Sequence, residues 1–200
     1  MMAIALPASP IPALRAVELD ASYEPLLQRF FEANPEYFLT VNGEPAGPNE
    51  AHDEIRGEVP ADMSFTRKWL VGYVDAEGSM VALANVIIDL LAPGVWHIGL
   101  FIVASSRHGT GEAHAIHHSL ERWAAANGAN WLRLGVVQGN ARAERFWEAL
   151  GYIQTRTRED VAMGRLTNTL RVMVKPLSSD TLEHYLSLVP RDQPEIQNVG

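Results

Sequence analysis

The sequence contains no cysteine among its 200 residues. This absence excludes disulfide bonds, thiolate metal sites and any mechanism that passes through an acyl-cysteine intermediate. The N-terminal stretch MMAIALPASPIPALR also lacks a positive charge ahead of its apolar residues, which a secretory signal normally carries. We therefore expect a reducing compartment and a cytoplasmic location.

Long uninterrupted hydrophobic runs are missing as well. The longest apolar region, residues 81–103, is broken by Asn85, Asp89, His97 and the pair Pro93-Gly94. A helix that crosses a lipid bilayer needs about 20 predominantly apolar residues and does not tolerate such interruptions well. The region predicts two buried strands joined by a turn, and we expect no membrane association.

Positive charge is scarce in the first half of the chain. Residues 1–103 hold 5 Lys and Arg against 14 Asp and Glu, whereas residues 104–200 hold 11 against 10. The net charge of −8 disfavours a nucleic-acid partner, because that binding depends on basic side chains that neutralise phosphates. The acidic half is suited to attract a cationic acceptor such as an amine, and solubility is the alternative explanation.

The most informative stretch runs from residue 98 to residue 128. An apolar run breaks into a short polar loop with Gly109 and Gly111, and an amphipathic helix follows with Ile116, Leu120 and Trp123 on one face. A strand, loop and helix in this order leave backbone N–H groups that point together at the helix start, which predicts a phosphate-binding loop. Glu112-Ala113 replaces the Lys-Ser/Thr of a nucleotide-hydrolysing P-loop.

Two motifs resemble those of a known family. His108-Gly109-Thr110-Gly111-Glu112-Ala113 resembles the Gln/Arg-x-x-Gly-x-Gly/Ala signature of the GNAT acyltransferases, with His108 in place of Gln or Arg. The segment NARAERFWEALGY, residues 140–152, is similar to the helix Asn-x-x-Ala-x-x-aromatic-Tyr-x-x-x-Gly-Phe of the same family. The motifs occur in the family's order, and with the flanking strands the resemblance covers about residues 13–177.

The predicted fold is a single α/β (α+β) domain whose mixed, mostly antiparallel central sheet is flanked by helices. Residues 1–12 are expected to form an N-terminal extension, residues 13–177 the GNAT-type domain, and residues 178–200 a C-terminal tail with a short helix at 180–188. Hydrophobic periodicity and turn signals predict the remaining elements. The strands are 14–19, 65–74, 80–90, 95–103, 131–137, 152–158 and 169–175, and the helices are 22–34, 49–56, 111–127 and 140–150.

The resemblance implies an N-acyltransferase, in particular an N-acetyltransferase, that moves an acetyl group from acetyl-CoA to an amine by direct attack in a ternary complex. A coenzyme A binding or sensing module without turnover is the alternative. The acceptor would be a small-molecule or peptide amine, and a homodimer is an open option. The family's coenzyme contacts fall here on Ile102, Val103, His108, Gly109, Thr110, Gly111, Glu112, Ala113 and Asn140, with Arg107, Arg142 and Arg145 beside them.

Residues for the chemistry itself are less clearly marked. His97 lies on the same strand as Val103, near where some family members place a proton-accepting Glu, so it is either a general base or a hydrogen-bonded core residue. The family's proton-donating Tyr falls on Trp147, whose indole cannot act as a general acid; it either packs in the core or donates a hydrogen bond to sulfur. In the family the region between the first and second strands helps form the acceptor pocket, so the resemblance makes Tyr37, Glu50, Asp53 and Glu54 candidates by position; a solvated acidic surface is the alternative.

Three histidines on one helix raise the question of a metal. His114 and His118 are one helical turn apart, and Glu121 follows His117 by four residues. The run lacks the His-Glu-x-x-His arrangement of a zinc hydrolase. We expect no metal, and we expect all three histidines on the solvent face of the helix.

Overall fold

The computed structural model describes residues 4–194. Within these residues the strands are β1 (Arg15–Glu18), β2 (Arg67–Val74), β3 (Met80–Ile88), β4 (Val95–Val103), β5 (Trp131–Val137), β6 (Ile153–Met163) and β7 (Leu166–Pro176). The helices are α1 (Glu24–Ala33), α2 (Pro35–Asn42), α3 (Glu50–Arg56), α4 (Glu112–Ala126), α5 (Ala141–Ala149) and α6 (Leu182–Leu188).

The strands form one sheet in the order β1-β2-β3-β4-β5-β7-β6. Among the described residues, β4 and β5 are the one parallel pair, and every other neighbouring pair is antiparallel. The loop and helix α4 make the crossover that a parallel pair requires. The predicted mixed, mostly antiparallel α/β fold is confirmed.

Helices cover both faces of the sheet, because its strands are apolar on both sides. Helices α4 and α5 pack with residues such as Trp96, Ile98 and Leu134 on one face. Helices α1, α2 and α3 pack on the opposite face with Leu70, Leu83 and their neighbours. Strand β3 is buried along its whole length, which explains its continuous run of apolar residues.

Most predicted elements are present, with three differences. Helix α2 was not predicted; it begins at Pro35, directly after the Asn34 that ends α1, so a proline that stops one helix also starts the next. Strands β6 and β7 extend five and three residues further into their hairpin than predicted. Their extra pairing is stabilised by contact with the end of α2, where Asn168 donates a hydrogen bond to the carbonyl of Val41.

Both ends of the described chain pack onto the domain. At the N-terminus, Ser119 Oγ and Trp123 Nε1 of α4 donate hydrogen bonds to the carbonyls of Ala8 and Ala5. At the C-terminus, α6 buries Tyr185 against Trp131 and Val174 of the sheet. Residues 1–3 of the expected extension and residues 195–200 of the expected tail lie outside the described residues.

The C-terminal segment also contributes a buried ion pair. Asp192 accepts hydrogen bonds from Arg133 Nε and Nη2 at 2.7 and 2.9 Å and from the Tyr185 hydroxyl at 2.6 Å. Burial alone would raise the pKa of Asp192, but the bonds and charge of Arg133 outweigh it and the pKa is lowered. The pair therefore ties the last described turn to the centre of the sheet.

We predict that Asp192→Asn lowers the free energy of unfolding by about 3 kcal/mol, because it leaves the buried Arg133 without a counter-charge. Urea unfolding at pH 7 measures the change, and Glu183→Gln on the exposed side of α6 is the control. The difference between wild type and Asp192→Asn should shrink as the pH falls through the lowered pKa of Asp192, since the wild-type carboxylate is then protonated. Equal stability of the two proteins at pH 7 would contradict this account.

Candidate active site

A gap in the sheet forms where β4 and β5 separate. The two strands pair only between Val95–Ile98 and Trp131–Leu134 in the described chain, although β4 continues to Val103 and β5 to Val137. The β3–β4 ladder shifts register between Asn85 and Val86, where Gly99 forms a bulge. The bulge and the shortened ladder open the sheet at its centre.

The gap exposes backbone hydrogen-bonding groups of β4. The Ala104 N–H donates to Val81 of β3 at 2.8 Å. Successive N–H groups of a strand point to opposite sides, so the N–H groups of Phe101 and Val103 face the gap and that of Ile102 faces β3. The edge of β4 that lines the gap can therefore pair with an extended ligand.

An anion-binding loop lies at the end of this gap. Gly109 and Gly111 adopt left-handed backbone conformations with φ of 80° and 84°, which turn the chain sharply into α4. Gly111 at the start of α4 has no side chain to cap the helix, and of the first N–H groups that of Glu112 donates to Thr110 Oγ1 at 3.3 Å, which leaves that of Ala113 open toward the loop. Together with the helix dipole, this open N–H favours a phosphate group.

Two side chains of the loop support this arrangement. Arg107 Nη1 contacts both carboxylate oxygens of Glu112, at 3.0 and 3.2 Å, and so offsets a negative charge next to the anion site. His108 Nε2 donates to the carbonyl of Val103 at 2.9 Å and thereby ties the loop to the end of β4. Thr110 Oγ1 closes the turn by donating to the carbonyl of Arg107.

Two cavities meet at the gap. The loop cavity, about 500 Å³, extends from Gly109, Gly111 and Ala113 along β4 to α5. The sheet cavity, about 480 Å³, lies mainly on the opposite face over His97, Gly99 and Gly135. Five residues line both cavities and surround the region between them, which we call the passage: Tyr37, Phe101, Asn140, Ala143 and Trp147.

Helix α5 positions two of the shared residues. Asn140 caps the helix, since its Oδ1 accepts from the Ala143 N–H at 3.2 Å. Trp147 is buried against Phe101, Phe146 and Tyr152. Trp147 also borders both cavities. It therefore packs in the core and lies beside the passage at the same time.

The floor of the sheet cavity is a network around His97. Arg133 Nη1 lies 3.3 Å from His97 Nδ1, and Arg133 is held by Asp192. Because an arginine only donates, Nδ1 must accept and the neutral ring carries its proton on Nε2. Burial, followed by the charge of Arg133, lowers the pKa of His97 to about 3. In these surroundings the neutral His97 ring is suited to donate a hydrogen bond from Nε2. It is poorly suited to accept a proton as a general base.

The wall opposite α5 is acidic. Glu54 of α3 and Asn85 of β3 line the sheet cavity, and Asn85 Nδ2 donates to Glu54 Oε1 at 2.6 Å. Burial raises the pKa of Glu54, although Lys68 and the bond from Asn85 act in the opposite direction. Burial and the neighbouring carboxylates also raise the pKa of Tyr37, which stays a neutral phenol.

The other acidic and basic positions divide between the cavities and the surface. Asp53 lines the sheet cavity, whereas the carboxylate of Glu50 accepts from the backbone N–H of Gly47. Arg142 lines the loop cavity, where it pairs with Glu36 at 3.4 Å. Arg145 lines neither cavity.

The histidines of α4 correct one prediction. His114 and His118 are exposed, but His117 is fully buried and its Nε2 lies 2.9 Å from the Tyr152 hydroxyl. The expectation that all three face solvent is therefore wrong for His117. Ligating atoms of His117, His118 and Glu121 lie within 4.8 Å of one another, yet Glu121 already pairs with Lys175 at 2.7 Å.

Sequence reasoning did not assign a role to Asn85, Gly99, Arg133 or Asp192. One signal was available: Asn85 is a lone polar residue in the apolar strand MVALANVII. A polar residue buried in such a strand needs a partner, and Glu54 supplies it from a position 31 residues away. The other three have no comparable local signal.

Comparison with known families identifies the architecture. The model of the acetyltransferase (GNAT) family matches residues 12–152. The chain belongs to the GNAT acetyltransferase family. Members of this family use acetyl-CoA as the acetyl donor. The loop between β4 and α4 of this GNAT domain has backbone N–H groups that suit a phosphate group.

Solved structures show the same GNAT fold. An acetyltransferase from Thermus thermophilus is 22% identical with a TM-score of 0.60, and the alignment covers 82% of this chain and 97% of that one. The ribosomal-protein-S18-alanine N-acetyltransferase from Escherichia coli is 15% identical with a TM-score of 0.62, covering 84% and 97%. Spermidine N-acetyltransferase from Vibrio cholerae, in complex with CoA and spermine, is 15% identical with a TM-score of 0.62, covering 82% and 96%.

A search of curated proteins gave no match. Across residues 4–194, no helix is both long and apolar enough to cross a membrane.

We predict that the His97 imidazole stays neutral between pH 5 and pH 8, with its proton on Nε2. Both burial and the positive charge of Arg133 oppose a second proton on the ring. Imidazole ¹⁵N NMR across this range measures the protonation state and the tautomer. His118, which is exposed, is the internal comparison, and titration of His97 near the ordinary value of about 6.5 would refute the prediction.

Proposed function

We propose that this GNAT protein transfers the acetyl group of acetyl-CoA to an amine by direct attack in a ternary complex. The observation that carries the proposal is the passage between β4 and β5, because it joins a phosphate-binding loop on one side to a cavity with carboxylates on one wall on the other side. A donor and an acceptor that enter from opposite faces meet within the sheet. Holding two reactants in this geometry is a large part of catalysis for such a transfer.

In this proposal the coenzyme lies along the loop cavity. Backbone N–H groups of Gly109, Thr110, Gly111 and Ala113 bind its pyrophosphate, and Arg107 keeps the Glu112 carboxylate from repelling it. The extended pantetheine arm pairs with the gap-facing edge of β4 at Val103. The thioester then reaches the passage beside Phe101, Asn140 and Trp147.

The reaction centre also needs stabilisation of negative charge. The N–H of Phe101 faces the gap and is suited to bind the oxyanion of the tetrahedral intermediate. The thiolate that departs has an ordinary pKa of about 8.5 and does not require a strong acid. Trp147 can contribute a hydrogen bond to sulfur but no proton.

The acceptor is an amine that reaches the passage through the sheet cavity. Its acidic wall suits a cation, and the acidic first half of the chain would attract one. The structural relatives include N-acetyltransferases of spermidine and of a ribosomal-protein alanine, so both small and peptide amines belong in a substrate panel.

The experiment combines calorimetric titration with acetyl-CoA and a free-thiol release assay against small amines and peptides with a free N-terminus. Saturable binding with amine-dependent thiol release supports the transferase. Binding without release by any amine would favour the coenzyme A binding or sensing module, which the replacement of the family's tyrosine by Trp147 keeps open. Absence of binding would refute the proposal.

We predict that Gly111→Trp abolishes acetyl-CoA binding, because an indole at the start of α4 occupies the space where the pyrophosphate would bind. Calorimetry at coenzyme concentrations up to about a hundred times the wild-type Kd checks this. Gly78→Trp is the matched control, since Gly78 lies in the β2–β3 turn with the same φ of 84° and equally open surroundings. Both variants carry the same backbone strain, and wild-type affinity in Gly111→Trp would rule out this placement of the coenzyme.

We predict that Trp147→Phe retains activity within about a hundredfold of wild type. Phenylalanine preserves an aromatic ring against Phe101 and Phe146 and removes only the indole N–H. Steady-state thiol release at saturating acetyl-CoA measures kcat. A loss of more than about a hundredfold, or ~2.7 kcal/mol, would show that the indole N–H acts in the transition state.

A further inference from the structure

The charged groups that line the sheet cavity are divided between two walls. Asp53, Glu54 and Glu58 belong to helix α3 and the loop that follows it, and they give that wall its negative charge. Arg133 of β5 and Arg158 of β6 lie on the other half of the sheet. An anionic group that enters the cavity is therefore repelled by the first wall and attracted to the second.

Arg158 is the cation of this cavity that has no partner in the described chain. Arg133 is held in its ion pair, and Lys68 Nζ donates to two backbone carbonyls at 2.7 and 2.8 Å. Arg158 is half-buried, and its guanidinium forms no hydrogen bond or ion pair with any described residue. The five N–H groups of its guanidinium are therefore available to a ligand in the cavity.

The backbone of β6 is arranged so that Arg158 faces the cavity. Two residues of β6, Gln154 and Arg156, pair with consecutive residues of β7, so Thr155 between them forms a bulge. Without this bulge Arg158 would point to the opposite face of the sheet, because a shift by one residue reverses every side chain. A second shift follows directly after Arg158, where Asp160 has a left-handed φ of 55°. Bulges of this kind occur next to active sites, where they redirect a side chain.

The pairing of the strands places Arg158 near the passage. Arg158 pairs with Leu170 of β7, and Leu170 pairs with Val137 at the end of β5. Neighbouring strands lie about 4.8 Å apart, so the Cα atoms of Arg158 and Val137 are about 10 Å apart. Val137 lines the cavity close in sequence to Asn140, which borders the passage. A ligand with one end in the passage can therefore place its other end at Arg158.

We propose that Arg158 binds an anionic group of the acceptor, so that the acceptor is an amine that also carries a carboxylate or a phosphate. The assignment rests on the proposed transferase function and narrows the acceptor to this class. The amine nitrogen lies in the passage, and the anion lies against the guanidinium, whose planar fork can donate two parallel hydrogen bonds to two oxygens. Arg158 determines specificity and takes no part in the transfer itself.

The first test is a panel of substrates in matched pairs. Amino carboxylates from glycine to ε-aminocaproate are each compared with the alkylamine that has a methyl group in place of the carboxylate. Phosphoethanolamine, compared with propylamine, represents the phosphates. We expect the wild type to acetylate at least one anionic amine with a kcat/KM about tenfold or more above that of its matched alkylamine. The preferred member identifies the anion and the length that the site accepts, and no preference for any anionic amine would overturn the assignment.

Variants of Arg158 attribute the preference to this residue. Arg158→Gln should lower kcat/KM for the anionic amine by about tenfold or more and leave that for the alkylamine within about twofold of wild type. Arg158→Lys keeps the charge and should retain part of the preference. Arg122→Gln removes an exposed arginine of α4 that lies outside both cavities, and this matched control should leave both substrates within about twofold. A preference that survives in Arg158→Gln would overturn the assignment.

A readout independent of turnover separates this site from the transferase function. The ¹⁵N–¹H signal of Arg158 Nε is followed while each anionic amine of the panel, and separately its matched alkylamine, is titrated into the wild-type protein. A saturable shift with an anionic amine and none with its alkylamine supports the site, even if no thiol is released from acetyl-CoA. A signal that responds to no anionic amine, or equally to both members of each pair, would overturn the assignment, whether or not the protein acetylates amines.

Discussion

The separation of β4 from β5 is the constraint on which the rest of the structure depends. Only four residues of each strand pair before the strands part, and the backbone groups beyond that point lack the ladder partners that a closed sheet would supply. Backbone groups without a ladder partner are free to pair with a ligand or with water. The anion-binding loop, the bulge at Gly99 and the aromatic wall of α5 all border this opening.

Rigidity below the opening comes from residues far from it in sequence. Asp192, from the last described turn, holds Arg133, and Arg133 sets the tautomer of His97 at the cavity floor. The C-terminal segment therefore supports the sheet cavity, while the strand–loop–helix unit supports the loop cavity. Under the proposed function, this anchored floor would fix the geometry in which the two substrates meet.

Local features of the sequence predicted the strand–loop–helix unit and the helix of residues 140–150, because both follow from residues that are neighbours in the chain. The contacts of the sheet cavity could not be derived in the same way, because they join positions 31 and 59 residues apart in Glu54–Asn85 and Arg133–Asp192. His117 was misplaced for a related reason: helical spacing gives the width of a buried face only roughly, and Tyr152 buries its edge.

The most direct test of the account is a crystal structure with coenzyme A bound. We expect the pyrophosphate on the backbone N–H groups of Gly109, Thr110, Gly111 and Ala113, the pantetheine arm along the gap-facing edge of β4, and the sulfur in the passage near Trp147. Coenzyme bound elsewhere, or a sulfur that does not reach the passage between β4 and β5, would contradict the claim that both substrates meet through the opening in the sheet.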